Sequence, residues 1–179
     1  VYPLESLRED IYKILKIKNN DKNADILTNS VLVFSDLVID RQSNYKFDIN
    51  KFTNTEGKTA IYIQYTRVRI KSILEELGHH SYSDSFDEND INQSEVNLLL
   101  SIIKFSDIFN RAKKLHEPHH LAEYLYEICQ KFNTFYKDVR ILNNINPNLQ
   151  NRRVNALIIT IKIIDILFEI LGIEAVDKM

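Results

Sequence analysis

The sequence contains few residues that break helices. Among its 179 residues there are three glycines and three prolines. These two residue types are the least favourable in a helix interior, so their scarcity, together with abundant Ile, Leu, Lys and Glu, favours helix over sheet. Hydrophobic residues make up 44% of the chain, which is enough to bury a core at this length. The composition therefore predicts an all-α protein, a bundle of helices.

Cysteine is almost absent. The single Cys129 excludes an internal disulfide and is typical of a reducing compartment, so we expect a cytoplasmic protein. Because Cys129 lies inside an apolar helical pattern, we expect it to be a small core residue. We expect no signal peptide, and Lys162, Asp165 and Glu169 interrupt the most apolar run of the chain. No membrane-spanning segment is predicted.

The chain also lacks an excess of positive charge. Its 23 Lys and Arg residues are outnumbered by 25 Asp and Glu residues, which gives a formal net charge of −2. Proteins that bind nucleic acid through the phosphate backbone present a basic surface. A nucleic-acid contact here would therefore need a local basic patch or a positive domain elsewhere in the protein. We expect neither DNA nor a membrane as a partner.

Catalytic motifs are missing as well. Gly57-Lys58-Thr59 resembles the end of a phosphate-binding loop, but Phe52 stands where that loop has its first glycine. His116-Glu-Pro-His-His120 matches the H-E-x-x-H pattern of zinc proteases, which requires both histidines on one continuous helix. Pro118 interrupts such a helix, so we expect the two histidines not to share a metal, and no metal site is predicted. His79-His80 follows a helix end and is assigned to a loop.

Apolar periodicity predicts where the helices lie. Helices are expected over residues 4–17, 24–39, 60–77, 94 to about 108, 105–115 as a continuation or restart, 118–136 and 153–171. In the helix from residue 94, the residues expected to face the core are Val96, Leu99, Leu100 and Ile103. The last helix is apolar on two faces, which predicts a central position in the bundle. One of these faces comprises Ala156, Leu157, Thr160, Ile164 and Leu167.

The most informative stretch is Ala60–Leu77, AIYIQYTRVRIKSILEEL, which has the periodicity of an amphipathic helix. Tyr62 and Tyr65 are three residues apart, and Tyr65 and Arg69 are four apart, so the three side chains lie near one face. None of the three is required for packing in this interpretation, and rings and guanidinium groups can stack on unpaired bases. The alternative is that both tyrosines are core or boundary residues and the arginine is solvated.

Three separated motifs resemble one family. Residues 62–74, YIQYTRVRIKSIL, are similar to the Tyr-Leu-Gln-Tyr-Ala-His-Ala-Arg-Ile-x-Ser-Ile signature of arginyl-tRNA synthetases. Residues 117–136, EPHHLAEYLYEICQKFNTFY, resemble the family's Glu-Pro-x-x-Leu-x-x-Tyr-Leu-x-x-Leu-Ala-x-x-Phe-x-x-Phe-Tyr. The ending 171–179, LGIEAVDKM, resembles Leu-Leu-Gly-Ile-x-x-Pro-x-Arg-Met. It differs at Val176, where the family has Pro, and at Lys178, where the family has Arg.

The resemblance implies a particular helical bundle, the DALR-type anticodon-binding domain of class Ia arginyl-tRNA synthetases. Residues 1–40 would be a helical segment that follows the catalytic core, residues 41–59 a connection, and residues 60–179 the anticodon-binding domain. The His-x-Gly-His element and the Lys-Met-Ser-Lys-Ser loop of the catalytic core are absent from the sequence. We therefore expect no cofactor in this part, and ATP with magnesium in a missing catalytic domain.

By the same resemblance, the function would be tRNA anticodon recognition as the C-terminal part of arginyl-tRNA synthetase, which ligates arginine to its tRNA with ATP. The partners would be arginine tRNA, through its anticodon loop, and the protein's own catalytic domain. Arginine anticodons share a middle C, so recognition of that base supplies much of the discrimination. The resemblance places base-binding roles on Tyr62, Tyr65, Arg69, Tyr136 and Met179. Basic residues that would contact phosphate, or else be solvated, are Arg67, Lys71, Arg111, Lys113 and Lys114.

Two other functions remain open at this point. A stand-alone helical module that has lost its catalytic partner would act in protein–protein assembly. A catalytic region encoded upstream of Val1 would distinguish the synthetase from such a module. A metal hydrolase built on the histidines would be supported only by stoichiometrically bound metal.

Overall fold

The computed structural model describes residues 2–19, 23–78, 91–139, 141 and 147–179. In these ranges the regular structure is helical, which confirms the all-α prediction. The helices are α1 (Leu4–Asn19), α2 (Ala24–Leu37), α3 (Ile49–Phe52), α4 (Ala60–Leu77), α5 (Gln93–Ile103), α6 (Phe105–Leu115), α7 (His119–Asp138) and α8 (Pro147–Leu171). The loop predicted at His79-His80 lies outside the described residues.

Helix α4 begins and ends where its sequence predicts. The Thr59 side chain caps its start by accepting a hydrogen bond from the Tyr62 N–H at 3.1 Å. Gly78 ends it in the left-handed conformation, at a φ of 62° that strains any residue with a Cβ. The Gly57–Thr59 run, which resembles a phosphate-binding loop in sequence, therefore serves to start a helix.

Several other boundaries differ from the predictions. Helix α8 begins at Pro147 rather than Arg153, because proline is compatible with the first turn of a helix, where no backbone donor is needed. The short α3 was not predicted. Asp48 caps it by accepting from the Lys51 N–H at 3.1 Å. After α5, the chain restarts at Phe105 as α6, with Lys104 between the two helices.

Helix α8 lies inside the bundle, in contact with α2, α4, α5 and α7, and α7 shares this interior position through its contacts with α2, α4, α5, α6 and α8. The face predicted to be buried is buried throughout: Ala156, Leu157, Thr160, Ile164 and Leu167. Val154 and Ile158, which project from the opposite side, are buried as well, so the two-sided burial is confirmed. Cys129 is a core residue, as predicted, and burial raises the pKa of its thiol.

The N-terminal helices pack onto this bundle. Helix α1 lies against α2, and α2 in turn contacts α4, α7 and α8. The division into segments 1–40, 41–59 and 60–179 stays a prediction. Within the part of the chain that the structure describes, every helix is too short or too polar to cross a lipid bilayer.

Helix α5 buries a different face from the predicted one. Leu100 and Ile103 are 52% and 72% exposed, whereas Glu95 is completely buried. The Glu95 carboxylate accepts two hydrogen bonds from Arg152 of α8, at 2.6 Å from Nε and 3.1 Å from Nη2. Arg153 Nε lies 3.6 Å from the same carboxylate. Apolar periodicity assigns a glutamate to the solvent-facing side of a helix. The prediction therefore chose the wrong face of α5, because the ion pair buries the face that carries Glu95.

We expect Glu95→Ala to lower the free energy of unfolding by about 3–5 kcal/mol, because it removes the carboxylate that neutralises two buried guanidinium groups. Urea unfolding followed by circular dichroism measures the loss. Glu9→Ala, at an exposed position on α1, is the matched control and should change stability by less than about 0.5 kcal/mol. Equal unfolding midpoints for the two variants would contradict a structural role for the buried ion pair.

Candidate nucleic-acid interface

Helix α4 borders a cleft on one face and contacts the C-terminal tail on the other. Tyr62, Tyr65 and Arg69 share one face, as their spacing predicts, and border a cleft of about 550 Å³. The residues that line this cleft are Thr55, Glu56, Ile61, Tyr62, Tyr65, Arg69, Asn133 and Met179. The cleft thus combines the segment before α4, the first half of α4, one side chain of α7 and the C-terminal Met179.

Arg69 lies between two aromatic rings. Its guanidinium carbon is 4.6 Å from the centroid of the Tyr65 ring and 5.5 Å from that of Tyr136 on α7. Both distances are within the range of cation–π attraction. Tyr136 is in turn held by Phe132, with ring centroids 5.9 Å apart and an interplanar angle of 21°. The structure therefore brings together three of the predicted base-binding residues, and Tyr65 is 45% exposed.

Asn133 connects α7 to α4 at the back of the cleft. Its Oδ1 accepts a hydrogen bond from Arg69 Nη1 at 2.6 Å. Its Nδ2 donates to the Tyr62 hydroxyl at 2.9 Å and to the Thr66 hydroxyl at 2.8 Å. Sequence reasoning missed this residue. The available signal was its position three residues before Tyr136, which places both on one face of α7.

Tyr62 differs from Tyr65 in that it contributes to packing. Its ring is half-buried against the core and lies 5.5 Å from the ring of Tyr126. The interpretation that none of the three α4 residues is needed for packing is therefore wrong for Tyr62. Burial raises the pKa of the Tyr62 phenol above its ordinary value, so the hydroxyl keeps its proton at neutral pH.

The opposite face of α4 binds the C-terminal tail, residues 172–179. The buried side chain of Gln64 donates from Nε2 to the Glu174 carbonyl at 2.7 Å and accepts at Oε1 from the Val176 N–H at 3.1 Å. The same Nε2 donates to the Ser30 hydroxyl of α2 at 3.0 Å. One buried amide therefore joins α2, α4 and the tail.

Two basic residues of α4 also hold the tail. Arg67 binds Asp165 of α8 with an Nε–Oδ1 distance of 2.6 Å and donates from Nη1 to the Val176 carbonyl at 3.1 Å. Lys71 Nζ lies 2.5 Å from Asp177 Oδ1, a contact that lowers the pKa of the Asp177 carboxyl. These cations are bound to carboxylates in the structure. The phosphate contacts expected of them stay a prediction.

Tail docking places Met179 at the cleft. Asn23 Nδ2 donates to the Lys178 carbonyl at 2.5 Å, so backbone atoms are held as far as the penultimate residue. Met179 lines the cleft and is 40% exposed. The other residues predicted to contact phosphate, Arg111, Lys113 and Lys114, are exposed on α6 and do not line the cleft.

The histidine motif lies apart from this cleft. His116 ends α6 in the left-handed conformation, at a φ of 55°. The ligating atoms of Glu117, His119 and His120 lie within 4.8 Å of one another, in a group that does not include His116. His120 Nε2 is 2.9 Å from Glu117 Oε2. The two histidines of the zinc-protease pattern therefore do not belong to one cluster of candidate ligands.

We expect Gln64→Ala to release the tail, because it leaves the buried Val176 amide without its acceptor at a cost of about 1–3 kcal/mol. Hydrogen exchange at Val176 should then accelerate roughly tenfold or more, since exchange reports local opening. Gln42→Ala, in an exposed loop, is the control and should leave exchange unchanged. Equal exchange rates in the two variants would show that Gln64 does not hold the tail.

The chain is similar to known proteins in both sequence and fold. A family model described as the DALR anticodon binding domain matches residues 63–179. The arginine–tRNA ligase of Agathobacter rectalis is 34% identical over 163 residues, which cover 89% of this chain and 27% of that protein. The arginine–tRNA ligase of Francisella tularensis subsp. novicida is 31% identical over 172 residues, which cover 90% of this chain and 29% of that protein.

Solved structures show the same similarity. Arginyl-tRNA synthetase from Plasmodium falciparum superposes with a TM-score of 0.75 at 29% identity, over 98% of this chain and 32% of that chain. Thermus thermophilus arginyl-tRNA synthetase shares the fold, with a TM-score of 0.83 at 23% identity over 98% of this chain and 31% of that one. The chain spans less than a third of the length of these relatives. It belongs to the DALR anticodon binding domain family, in the form that arginyl-tRNA synthetases carry.

Proposed function

We propose that this chain binds the anticodon loop of arginine tRNA in the cleft between α4 and α7. The observation that carries the proposal is the group formed by Tyr65, Arg69 and Tyr136 beside a cleft of about 550 Å³. Exposed rings and a guanidinium plane are the groups on which unpaired bases of single-stranded RNA stack. A cleft of this size has room for a base.

The proposed mechanism starts from a splayed anticodon loop. An unstacked base, which we take to be the middle C, packs between the tyrosine rings and Met179, while polar groups near Arg69 contact its edge. Tyr65 supplies an exposed ring for this stack, and the Arg69 guanidinium supports it. Each stack of a base on an aromatic ring contributes about 1–3 kcal/mol.

The charge of the chain supports base contacts over phosphate contacts. A net charge of −2 gives no general attraction to RNA. Arg67 and Lys71 bind Asp165 and Asp177, so their charge is already neutralised locally. We therefore propose that the cations on α6 make the phosphate contacts and that stacking supplies most of the specificity.

The wider role we propose is that of an arginyl-tRNA synthetase, which ligates arginine to its tRNA with ATP. Its catalytic domain would be the second partner of this chain and would bind ATP and magnesium. The phosphate-binding pattern at Gly57–Thr59 does not fit ATP binding, because this run caps α4 and offers no glycine-rich loop. The likeness to arginine–tRNA ligases over 89–90% of the chain supports the assignment.

We expect Tyr65→Ala to weaken binding of an arginine anticodon hairpin about tenfold or more, because one base stack is lost. Fluorescence anisotropy with a labelled hairpin measures the affinity, beside a second hairpin whose middle C is replaced by G. Both the variant and the base change should weaken binding. The loss of binding free energy for the variant with the changed hairpin should be smaller than the sum of the two separate losses, since both changes remove the same contact.

Tyr2→Ala is the control for this experiment, because Tyr2 is exposed and does not line the cleft. It should bind the hairpin as the unchanged chain does. Equal binding of both hairpins by the unchanged chain would mean that the cleft does not recognise the middle base. Binding of neither hairpin by a folded chain would favour the protein-assembly function instead.

A further inference from the structure

The hydrogen bonds behind the cleft have a direction that chemistry fixes. An arginine side chain has only donors, so the Asn133 atom that faces Arg69 Nη1 at 2.6 Å must be the oxygen. The amide nitrogen of Asn133 therefore faces the hydroxyls of Tyr62 and Thr66, at 2.9 Å and 2.8 Å. Each of its two N–H groups has one acceptor.

This direction determines what Tyr62 can offer to a ligand. The phenol proton lies near the ring plane and has two directions available to it. The Asn133 N–H donates to the phenol oxygen along one of these directions, so the phenol proton points along the other. Thr66 donates its own proton to the Tyr62 carbonyl at 2.8 Å. Among the described residues, none accepts the Tyr62 proton, so the hydroxyl is left as a donor beside the cleft that Tyr62 lines.

The polar groups that line the cleft include the donors and the acceptor that a cytosine edge requires. Tyr62 and Arg69 supply donors, and Glu56, which also lines the cleft, supplies a carboxylate acceptor. Cytosine presents two neighbouring acceptors, N3 and O2, and one donor, its N4 amino group. Uracil instead presents a donor at N3 and an acceptor at O4. In the same orientation, uracil would place its N3–H next to the Tyr62 proton and its O4 next to the Glu56 carboxylate. Both contacts are repulsive, because a donor faces a donor and an acceptor faces an acceptor.

We propose that Asn133 is a positioning residue that makes the cleft select cytosine over uracil, by holding the Tyr62 hydroxyl as a donor. This inference rests on the proposed function and adds the residue that sets the choice between two bases of equal size. Stacking alone does not distinguish these pyrimidines, because both present similar ring faces. The choice therefore depends on the direction of hydrogen bonds at the base edge.

The test uses Asn133→Asp, which keeps the shape of the side chain and reverses its polarity toward Tyr62. The carboxylate still accepts from Arg69, but its second oxygen now accepts the Tyr62 proton, so the hydroxyl presents a lone pair to the cleft. Binding is measured for two anticodon hairpins that differ only in a middle C or U. We expect the C-to-U affinity ratio of the unchanged chain to be about tenfold or more, and Asn133→Asp to lower that ratio about tenfold.

The control is Gln130→Glu, which adds the same charge one turn earlier on α7, at an exposed side chain that bonds to Tyr126. Added negative charge at this position should weaken binding of both hairpins equally, so the control should keep the C-to-U affinity ratio of the unchanged chain. Tyr62→Phe is a second variant, which removes the donor and should lower the ratio without introducing charge. Circular dichroism confirms that each variant is folded.

The outcomes separate this inference from the proposed function. If the unchanged chain binds neither hairpin, the proposed function itself fails. If it binds the C and U hairpins equally, anticodon binding stands and the selection of cytosine over uracil is overturned. If the unchanged chain prefers C, but Asn133→Asp and Tyr62→Phe both keep the ratio of the control, anticodon binding stands and the role of Asn133 is overturned. A ratio that falls in both variants and not in Gln130→Glu supports the inference.

Discussion

The buried amide of Gln64 is the interaction on which the rest of the site depends. It joins Ser30 of α2 to the tail at Glu174 and Val176, three segments that are far apart in sequence. A buried amide is stable only when its donors and acceptors are satisfied, so this contact specifies one position for the tail. That position brings Met179 to the cleft.

Helix α4 uses opposite faces for the C-terminal tail and for the cleft. Gln64, Arg67 and Lys71 hold the tail on one side, and Tyr62, Tyr65 and Arg69 border the cleft on the other. Asn133 then links the second face to α7. Because both faces belong to one helix, the contacts that hold the tail and the residues that border the cleft are fixed to the same element.

Much of the fold and part of the site could be predicted from sequence. Local signals were reliable: apolar periodicity placed α4 at Ala60–Leu77, and the spacing of Tyr62, Tyr65 and Arg69 placed them on one face. Predictions failed where the position of a side chain depends on a partner that is distant in sequence. The buried face of α5 depends on Arg152, which binds Glu95 from a helix 57 residues away in sequence. The acidic partner of Arg67 is 98 residues away.

The sequence by itself determined the helical class, the limits of α4, the family resemblance and the row of residues along one helix face. These properties depend on neighbours within one or two helical turns. Only the tertiary structure decided that Asn133 lies against Tyr62, that Arg67 and Lys71 bind carboxylates, and that the final methionine reaches the cleft. The physical reason is that a polar side chain takes its role from the partner that satisfies it, and folding brings that partner from a distant part of the chain.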